Sequence, residues 1–228
     1  MKSILADFLN LLFPSLCIVC GENLHKQEQH LCINCLQGIP KTNYQLVVNN
    51  PIEKRFWGKV PINRGTAFFF FQKGSPYQKI LHSLKYRGNQ EVGELLGKYA
   101  AHELLESVDF STIDIIIPVP LHPKKQKIRG YNQSECIGNG LSKILEKPID
   151  NTSLIRVREN TTQTKKTVFE RYENTDGIFV LQNQNNLTGK HVLLVDDVLT
   201  TGSTLEACIR VLIEIEGIKV SVFTLAVA

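Results

Sequence analysis

The sequence predicts an α/β protein with a parallel sheet, flanking helices and a small N-terminal zinc-binding module. Short apolar runs, typical of buried strands, alternate with helical patterns along most of the chain. Such alternation favours parallel strands joined by right-handed crossover connections. Two closely spaced cysteine pairs near the N-terminus indicate the metal-binding module.

The overall composition is that of an ordinary globular protein. The chain has 228 residues, of which 43% are hydrophobic and 21% are charged, and its formal net charge is +4. That charge is too small to indicate a partner by itself. Apolar residues before Pro14 form the stripe of an amphipathic helix, and no run approaches the ~20 apolar residues of a membrane span. We therefore expect a cytoplasmic protein without disulfides.

The cysteine pairs read C-x2-C, eleven residues, C-x2-C, and comprise Cys17, Cys20, Cys32 and Cys35. Two pairs in tandem favour one tetrahedral structural zinc site over a redox dithiol, which needs a single pair. His25 and His30 lie between the pairs and could replace a thiolate, although surface histidines are the simpler interpretation. The segment can bury little core, so zinc would supply its folding free energy. We assign residues 1–42 to an N-terminal helix and the zinc module, 43–64 to a linker and 65–228 to the sheet domain.

The sheet domain begins with regular elements in alternation. The patterns predict a strand at 66–71, helices at 77–84 and 92–105, and a second core strand at 114–119. Ligands of parallel sheets bind beyond the carboxyl ends of the strands, so residues that follow each strand are candidates for a site.

The stretch HVLLVDDVLTTGST at 191–204 is the most informative in the chain. Its apolar run ends in Asp196 and Asp197, and a loop of small and hydroxyl residues then opens a helical pattern. Backbone N–H groups at such a helix N-terminus bind phosphate, and Gly202 permits close approach. The predicted phosphate-binding residues are Thr200, Thr201, Gly202, Ser203 and Thr204. An acid pair one loop away from a phosphate suits ribose hydroxyls, so the stretch predicts a ribose 5-phosphate site.

Simpler and competing interpretations of this stretch account for less of it. A capped strand-to-helix turn would explain one hydroxyl, but not two carboxylates, four hydroxyl residues and a glycine. The stretch lacks both the G-x-G-x-x-G dinucleotide fingerprint and the Gly-Lys-[Ser/Thr] of a Walker loop.

Two basic segments, 118–133 and 156–171, flank the same sheet. Their lysines are Lys124, Lys125, Lys127, Lys165 and Lys166. A pyrophosphate group needs such cations and usually Mg2+. Lys85, Arg87 and Arg129 are further candidates for substrate binding. The same five lysines, with Tyr86 and Tyr131 expected to be exposed, could instead contact single-stranded DNA by charge and stacking. Both segments could also be solvated surface loops.

The 191–204 stretch resembles the ribose-phosphate motif of type I phosphoribosyltransferases. The resemblance implies that Asp196 and Asp197 hold the ribose hydroxyls of phosphoribosyl pyrophosphate and that the following loop holds its 5-phosphate. Members that use 6-oxopurines carry an acid where this chain has Thr200, so that subgroup is disfavoured.

The wider pattern resembles the competence protein F family. The matching segments are the four cysteines, LKYRGN at 84–89, PVPLHP and RGYNQ within 118–133, ERYEN at 170–174 and VDDVLTTGST. The resemblance implies a phosphoribosyltransferase-like protein that binds phosphoribosyl pyrophosphate or a related nucleotide with Mg2+ and handles single-stranded DNA in natural transformation. Partners implied are that DNA, a DNA-uptake helicase and other competence proteins. The alternative is an active phosphoribosyltransferase of nucleotide metabolism with an unidentified acceptor.

Overall fold

The structure is a computed structural model, and it describes residues 14–86, 88–158 and 177–228. The predicted N-terminal helix, Arg87, Lys165 and Lys166 lie outside the described residues.

The described strands and helices alternate as the sequence patterns predict. The strands are β1 (Gly65–Phe70), β2 (Ile115–Pro118), β3 (Leu154–Arg156), β4 (Phe179–Leu181), β5 (His191–Leu199) and β6 (Lys219–Val227). The α-helices are α1 (Ile33–Gln37), α2 (Pro51–Lys54), α3 (Gln78–Tyr86), α4 (Gln90–Leu104), α5 (Val108–Ser111), α6 (Pro123–Arg129), α7 (Gln133–Leu145) and α8 (Ser203–Leu212). Short 3-10 turns occupy Tyr44–Leu46 and Gln184–Asn186.

Four of these strands form one parallel sheet in the order β1-β6-β5-β2. Strands β3 and β4 form a separate antiparallel pair. The α/β class with a parallel sheet is therefore confirmed, and the strands predicted at 66–71 and 114–119 correspond to β1 and β2.

The central strand β5 is buried on both faces, which explains why its sequence begins with a continuous apolar run. Successive side chains of a strand point to opposite faces. Leu193 and Val195 accordingly pack with residues of α3, α4 and α7, whereas Val192 and Leu194 pack with residues of α8. The core therefore has two layers of helices with the sheet between them.

Helices α4 and α7 touch through glycines. A Cβ on Gly97 would lie 2.3 Å from the carbonyl oxygen of Ile137, and one on Gly140 would lie 2.1 Å from the carbonyl oxygen of Glu94. Any larger residue at either position would force the helices apart. This contact fixes α7, whose first turn lies beside the carboxyl end of β5.

Residues 43–64, predicted to be a linker, fold against the sheet. The side chain of Asn50 caps α2 and donates a hydrogen bond of 2.8 Å to the carbonyl oxygen of Gly65 at the start of β1. Ile52 and Phe56 are buried in the core layer that contains α8. The segment therefore contributes core packing, while the domain division at residues 42 and 64 stays a prediction.

The cysteine segment packs against the start of α3. Val19 belongs to the same buried cluster as Ile80 of that helix. The Tyr77 hydroxyl donates to the carbonyl oxygen of Cys35 at 3.1 Å, and Lys79 Nζ donates to the carbonyl oxygen of Val19 at 2.8 Å. These contacts connect the N-terminal segment to α3, and His30 Nε2, 2.9 Å from Glu91 Oε2, connects it to α4.

Across the described parts of the chain, the helices are too short or too polar to cross a lipid bilayer.

Candidate functional site

Two adjacent carboxylates near the carboxyl end of β5 form the centre of the candidate site. Asp196 Oδ1 accepts hydrogen bonds from the backbone N–H of Asp197 at 2.8 Å and from the Ser134 hydroxyl at 3.0 Å. Lys85 Nζ lies 2.9 Å from Asp197 Oδ2. The structure therefore surrounds the acid pair with one cation from α3 and one hydroxyl from α7.

Burial and like charge act together on Asp196. Removal from water, followed by the neighbouring charge of Asp197, raises the pKa of Asp196 to about 7. The hydrogen bonds from Asp197 and Ser134, and the charge of Lys85, oppose this shift without cancelling it. Once Asp196 is ionised, the pair carries two negative charges against the single charge of Lys85, and a bound cation or a hydroxyl donor would relieve the repulsion.

The end of α3 that carries Lys85 is held in place by a buried tyrosine. The hydroxyl of Tyr131 donates to the carbonyl oxygen of Leu84, and the Tyr131 side chain is buried. The expectation that Tyr131 is exposed for DNA stacking is therefore wrong. Tyr131 instead fixes the helix end, because its ring packs in the core and its hydroxyl needs a buried acceptor.

The predicted phosphate loop follows β5 directly and opens α8. Gly202 has a φ of +85° and occupies the N-cap position of α8 without a side-chain cap. Thr201 Oγ1 and Ser203 Oγ lie 3.0 Å apart, and both residues are exposed. The first N–H groups of the helix and two hydroxyls are thus presented together, an arrangement that suits a phosphate.

An arginine from the 43–64 segment donates hydrogen bonds to the phosphate loop and to the C-terminal residue. Arg55 Nη1 donates to the carbonyl oxygen of Thr200, and Nη2 donates to the carbonyl oxygen of Ala228 at 2.8 Å. Sequence patterns could not have found this contact, because Arg55 and Thr200 are 145 residues apart.

The first basic segment forms a helix where a loop was expected. His122 is the N-cap of α6, Pro123 is its first residue, and Gly130 ends it with a φ of +81°. Proline at N1 and glycine after the last turn are the residues that favour such boundaries. The lysines of α6 are Lys124, Lys125 and Lys127.

The connection from α6 to α7 places both Arg129 and Ser134. Asn132 caps α7 by accepting from the N–H of Ser134 at 3.1 Å, and its amide donates to the carbonyl oxygen of Val119 at 3.0 Å. Arg129 Nη1 donates to Gln133 Oε1 at 2.7 Å. Ser134 was missed in the sequence analysis, although it directly follows the RGYNQ motif.

The four cysteines meet as a second candidate site. Their Sγ atoms all lie within 4.8 Å of one another, and Cys20 Sγ is 3.7 Å from Cys32 Sγ. Tetrahedral zinc with Zn–S bonds of about 2.3 Å would set its sulfur ligands about 3.8 Å apart, so the donor set fits the ion. Burial would raise the pKa of Cys17, but backbone N–H groups outweigh it and lower the pKa to about 6. Burial and the neighbouring thiols instead raise the pKa of Cys35 well above its usual value, so a bound metal ion would be needed to hold all four as thiolates.

Comparison with known proteins identifies a domain family and several relatives. Residues 132–228 match the phosphoribosyl transferase domain family, and this span contains Ser134, the acid pair and the phosphate loop. Over 211 residues the chain is 30% identical to Competence protein F of Haemophilus influenzae, and the match covers 92% of this chain and 83% of that protein. The chain belongs to the competence protein F family.

Other relatives match the chain over a similar length. The chain is 28% identical to the DNA utilization protein YhgH of Shigella flexneri, with 92% of this chain and 89% of that protein covered. It is 27% identical to Competence protein ComFC of Bacillus subtilis, with 92% and 82% covered. The resemblance inferred from the motifs is confirmed, while the roles of individual residues stay predictions.

The cysteine cluster predicts one zinc ion per chain, measurable by elemental analysis of protein purified without chelator. Cys32→Ser should lose the ion and lower the melting temperature, because metal binding and folding of the module are coupled. Cys136→Ser is the matched control, since Cys136 is buried outside the cluster, and it should retain the zinc. Protein without zinc, or loss of zinc in the control alone, would contradict the assignment.

The raised pKa of Asp196 predicts that stability falls as pH rises. The unfolded chain releases this proton near the ordinary pKa of 3.8, whereas the folded protein holds it to about pH 7. Between these values the folded state binds more protons, so the free energy of unfolding decreases with pH. Asp196→Asn removes this loss and can still accept from Ser134. We expect the melting temperature of the variant to exceed that of the wild type at pH 8, and the difference in melting temperature to shrink toward pH 4. A difference that does not depend on pH would contradict the role given to Asp196.

Proposed function

We propose that this protein binds phosphoribosyl pyrophosphate, or a related nucleotide phosphate, with Mg2+, and that it handles single-stranded DNA during natural transformation. The main evidence for this ligand is that the acid pair of β5 is followed directly by a phosphate loop at the start of α8. The observation that supports the DNA role is membership of a family whose members are named for competence and DNA utilization.

The ligand's parts correspond to separate groups of the site. The 5-phosphate would accept from the N–H groups and hydroxyls at Thr201 and Ser203, where the helix N-terminus carries partial positive charge. The ribose hydroxyls would donate to Asp196 and Asp197. Lys85 does not saturate Asp197, because a carboxylate has about four lone-pair directions.

The charge of the acid pair also suits a divalent cation. Asp196 and Asp197 repel each other, and Lys85 is the one cation among the described residues within ion-pair distance of either. Mg2+ prefers oxygen ligands, so Asp196 and Asp197 are the residues that would hold it, and it would supply positive charge to the phosphates of the ligand. Bound there, it would neutralise the pyrophosphate charge. The residues therefore fit the ion.

The proposed DNA binding depends on the positively charged side chains of α6. Lys124 and Lys127 are exposed one turn apart, and Ile128 beside them is also exposed. These positive charges follow the carboxyl end of β2, the strand that neighbours β5. A single strand that contacts α6 would therefore pass close to the acid pair.

The double substitution Asp196→Asn with Asp197→Asn tests the ligand proposal. It should abolish binding of phosphoribosyl pyrophosphate with Mg2+ in calorimetry, because two hydroxyl hydrogen bonds to charged acceptors contribute roughly 3–6 kcal/mol at about 1.5–3 each. Asp114→Asn is the matched control: Asp114 precedes β2 and accepts from the N–H of His191, so it lies at the opposite end of the same strands. Unchanged affinity in the double variant would refute the proposed site.

The lysines of α6 predict a salt-dependent affinity for single-stranded DNA. The affinity should fall with salt at a log–log slope of roughly −0.7 for each phosphate contacted, as measured by fluorescence anisotropy of a labelled oligonucleotide. Lys124→Gln with Lys127→Gln should weaken binding and flatten the slope. Lys190→Gln with Lys219→Gln changes the same charge at the amino end of β5 and β6, and should do neither. Equal effects of the two pairs would refute a role for α6.

A further inference from the structure

The chain's only tryptophan is exposed on a fixed turn that follows α2. Trp57 is 58% exposed, although Phe56 before it and Val60 after it are buried in the core layer that contains α8. The N–H groups of Lys59 and Val60 donate to the carbonyl oxygen of Phe56 at 3.0 and 3.2 Å. Gly58 allows this turn with a φ of +70°. The indole ring is therefore presented to solvent by backbone that is anchored on both sides.

Positive charge surrounds this ring. Lys54 Nζ lies 5.9 Å from the centre of the indole ring. Lys59 is also exposed, and its contact with Glu206 is a long one of 4.0 Å. Glu53 is the one acid in the sequence between residues 51 and 64, and it is buried in an ion pair inside the protein. The surface around the tryptophan is therefore complementary in charge to an anionic partner.

The ring also borders a groove on the surface of the protein. The groove has a volume of about 500 Å³, and Val48, itself 65% exposed, lines it together with Trp57. Pro61 and Ile62 extend the apolar part of the lining, and Lys59 adds a positive charge. A cleft that combines apolar lining, a flat aromatic ring and a cation has the chemistry to hold an unpaired base and the phosphate attached to it.

A single exposed aromatic residue needs no functional explanation. Tyr99 of α4 is such a residue: it is 41% exposed, and the lysine beside it, Lys98, is paired with Glu94 at 2.9 Å. Trp57 differs because its turn is anchored in the core, a lysine lies over its ring and a groove opens beside it. An apolar peptide would need the groove but not the lysines, so the surface favours a polyanion with flat apolar faces.

We propose that Trp57 is a stacking platform for single-stranded DNA, with Lys54 and Lys59 near the phosphates that flank the stacked base. This rests on the proposed function, in which the protein handles single-stranded DNA, and it adds a second contact surface to α6. Stacking on one indole ring depends little on the identity of the base. It requires a single strand, because the bases of a duplex already stack on each other.

The fluorescence of the single tryptophan reports this contact directly. The full-length protein, purified without chelator, is titrated with oligo(dT) and with an abasic oligonucleotide of equal length, at concentrations where anisotropy shows each to be bound. Oligo(dT) should quench the fluorescence of Trp57, and the abasic strand should leave it unchanged, because the abasic strand has phosphates but no bases to stack.

Substitutions test the energy of the same contact. Trp57→Ala should bind labelled oligo(dT) about 5- to 150-fold more weakly in anisotropy, as expected for the loss of one stacked base. Trp57→Phe keeps an aromatic ring and should retain most of the affinity. Tyr99→Ala is the matched control, since it removes an exposed aromatic ring from α4, which packs on the opposite face of the sheet, and it should bind as the wild type does.

The outcomes separate this inference from the function it rests on. If the wild type does not bind oligo(dT) at all, the proposed DNA function itself is refuted. If oligo(dT) binds but leaves the fluorescence unchanged, or if the abasic strand or polyglutamate quenches it equally, the stacking role is refuted. Equal affinities of Trp57→Ala and the wild type also refute it. Circular dichroism melting curves show that each variant is folded, and the wild-type titrations decide the question even if Trp57→Ala is unstable.

Discussion

Two half-buried carboxylates that a folded chain places side by side must be compensated, and the architecture around β5 provides part of that compensation. Lys85 reaches Asp197 from α3, and Ser134 reaches Asp196 from α7. Removal of one partner from such a buried group costs more than the contact contributes. The positions of both helices are therefore constrained by the acid pair, and each helix has its own means of staying in place.

Helix α7 is held by backbone contact with α4, because Gly97 and Gly140 let the two helices touch. Helix α3 is held at both ends. Tyr131 holds the carbonyl of Leu84 at the end near the site, while Tyr77, just before α3, binds Cys35. Eight residues of helix at 1.5 Å each separate Tyr77 from Lys85, about 12 Å. We infer that the cysteine module supports the site by anchoring the far end of this helix.

The sequence predicted the parts of the molecule whose residues are close together in the chain. The acid pair and phosphate loop occupy one stretch of nine residues, and each cysteine pair is separated by two, so local spacing was sufficient. The sheet followed from the apolar run at Val192–Val195 and its counterparts. Local residues also mark the bounds of α6, since Pro123 favours the first turn of a helix and Gly130 favours its end.

What the sequence could not show are contacts between distant segments. Arg55 and Ser134 reach the site from elements far away in the chain. Nothing local signals the role of Arg55, and the RGYNQ motif before Ser134 does not show which residue its hydroxyl contacts. Tyr131 lies in a polar, glycine-containing motif that suggests exposure, yet tertiary packing buries it. Ile52 and Phe56 are one helical turn apart between Pro51 and Gly58, too short a pattern to distinguish packed structure from a linker.

The central claim is that a ribose phosphate binds where β5 gives way to α8, and a crystal structure of the protein grown with phosphoribosyl pyrophosphate and Mg2+ tests it most directly. The account predicts density for the 5-phosphate against the backbone at 201–204 and for the ribose hydroxyls within hydrogen-bond distance of Asp196 and Asp197. Ligand bound elsewhere, with the ion pair between Lys85 and Asp197 and the phosphate loop untouched, would contradict it.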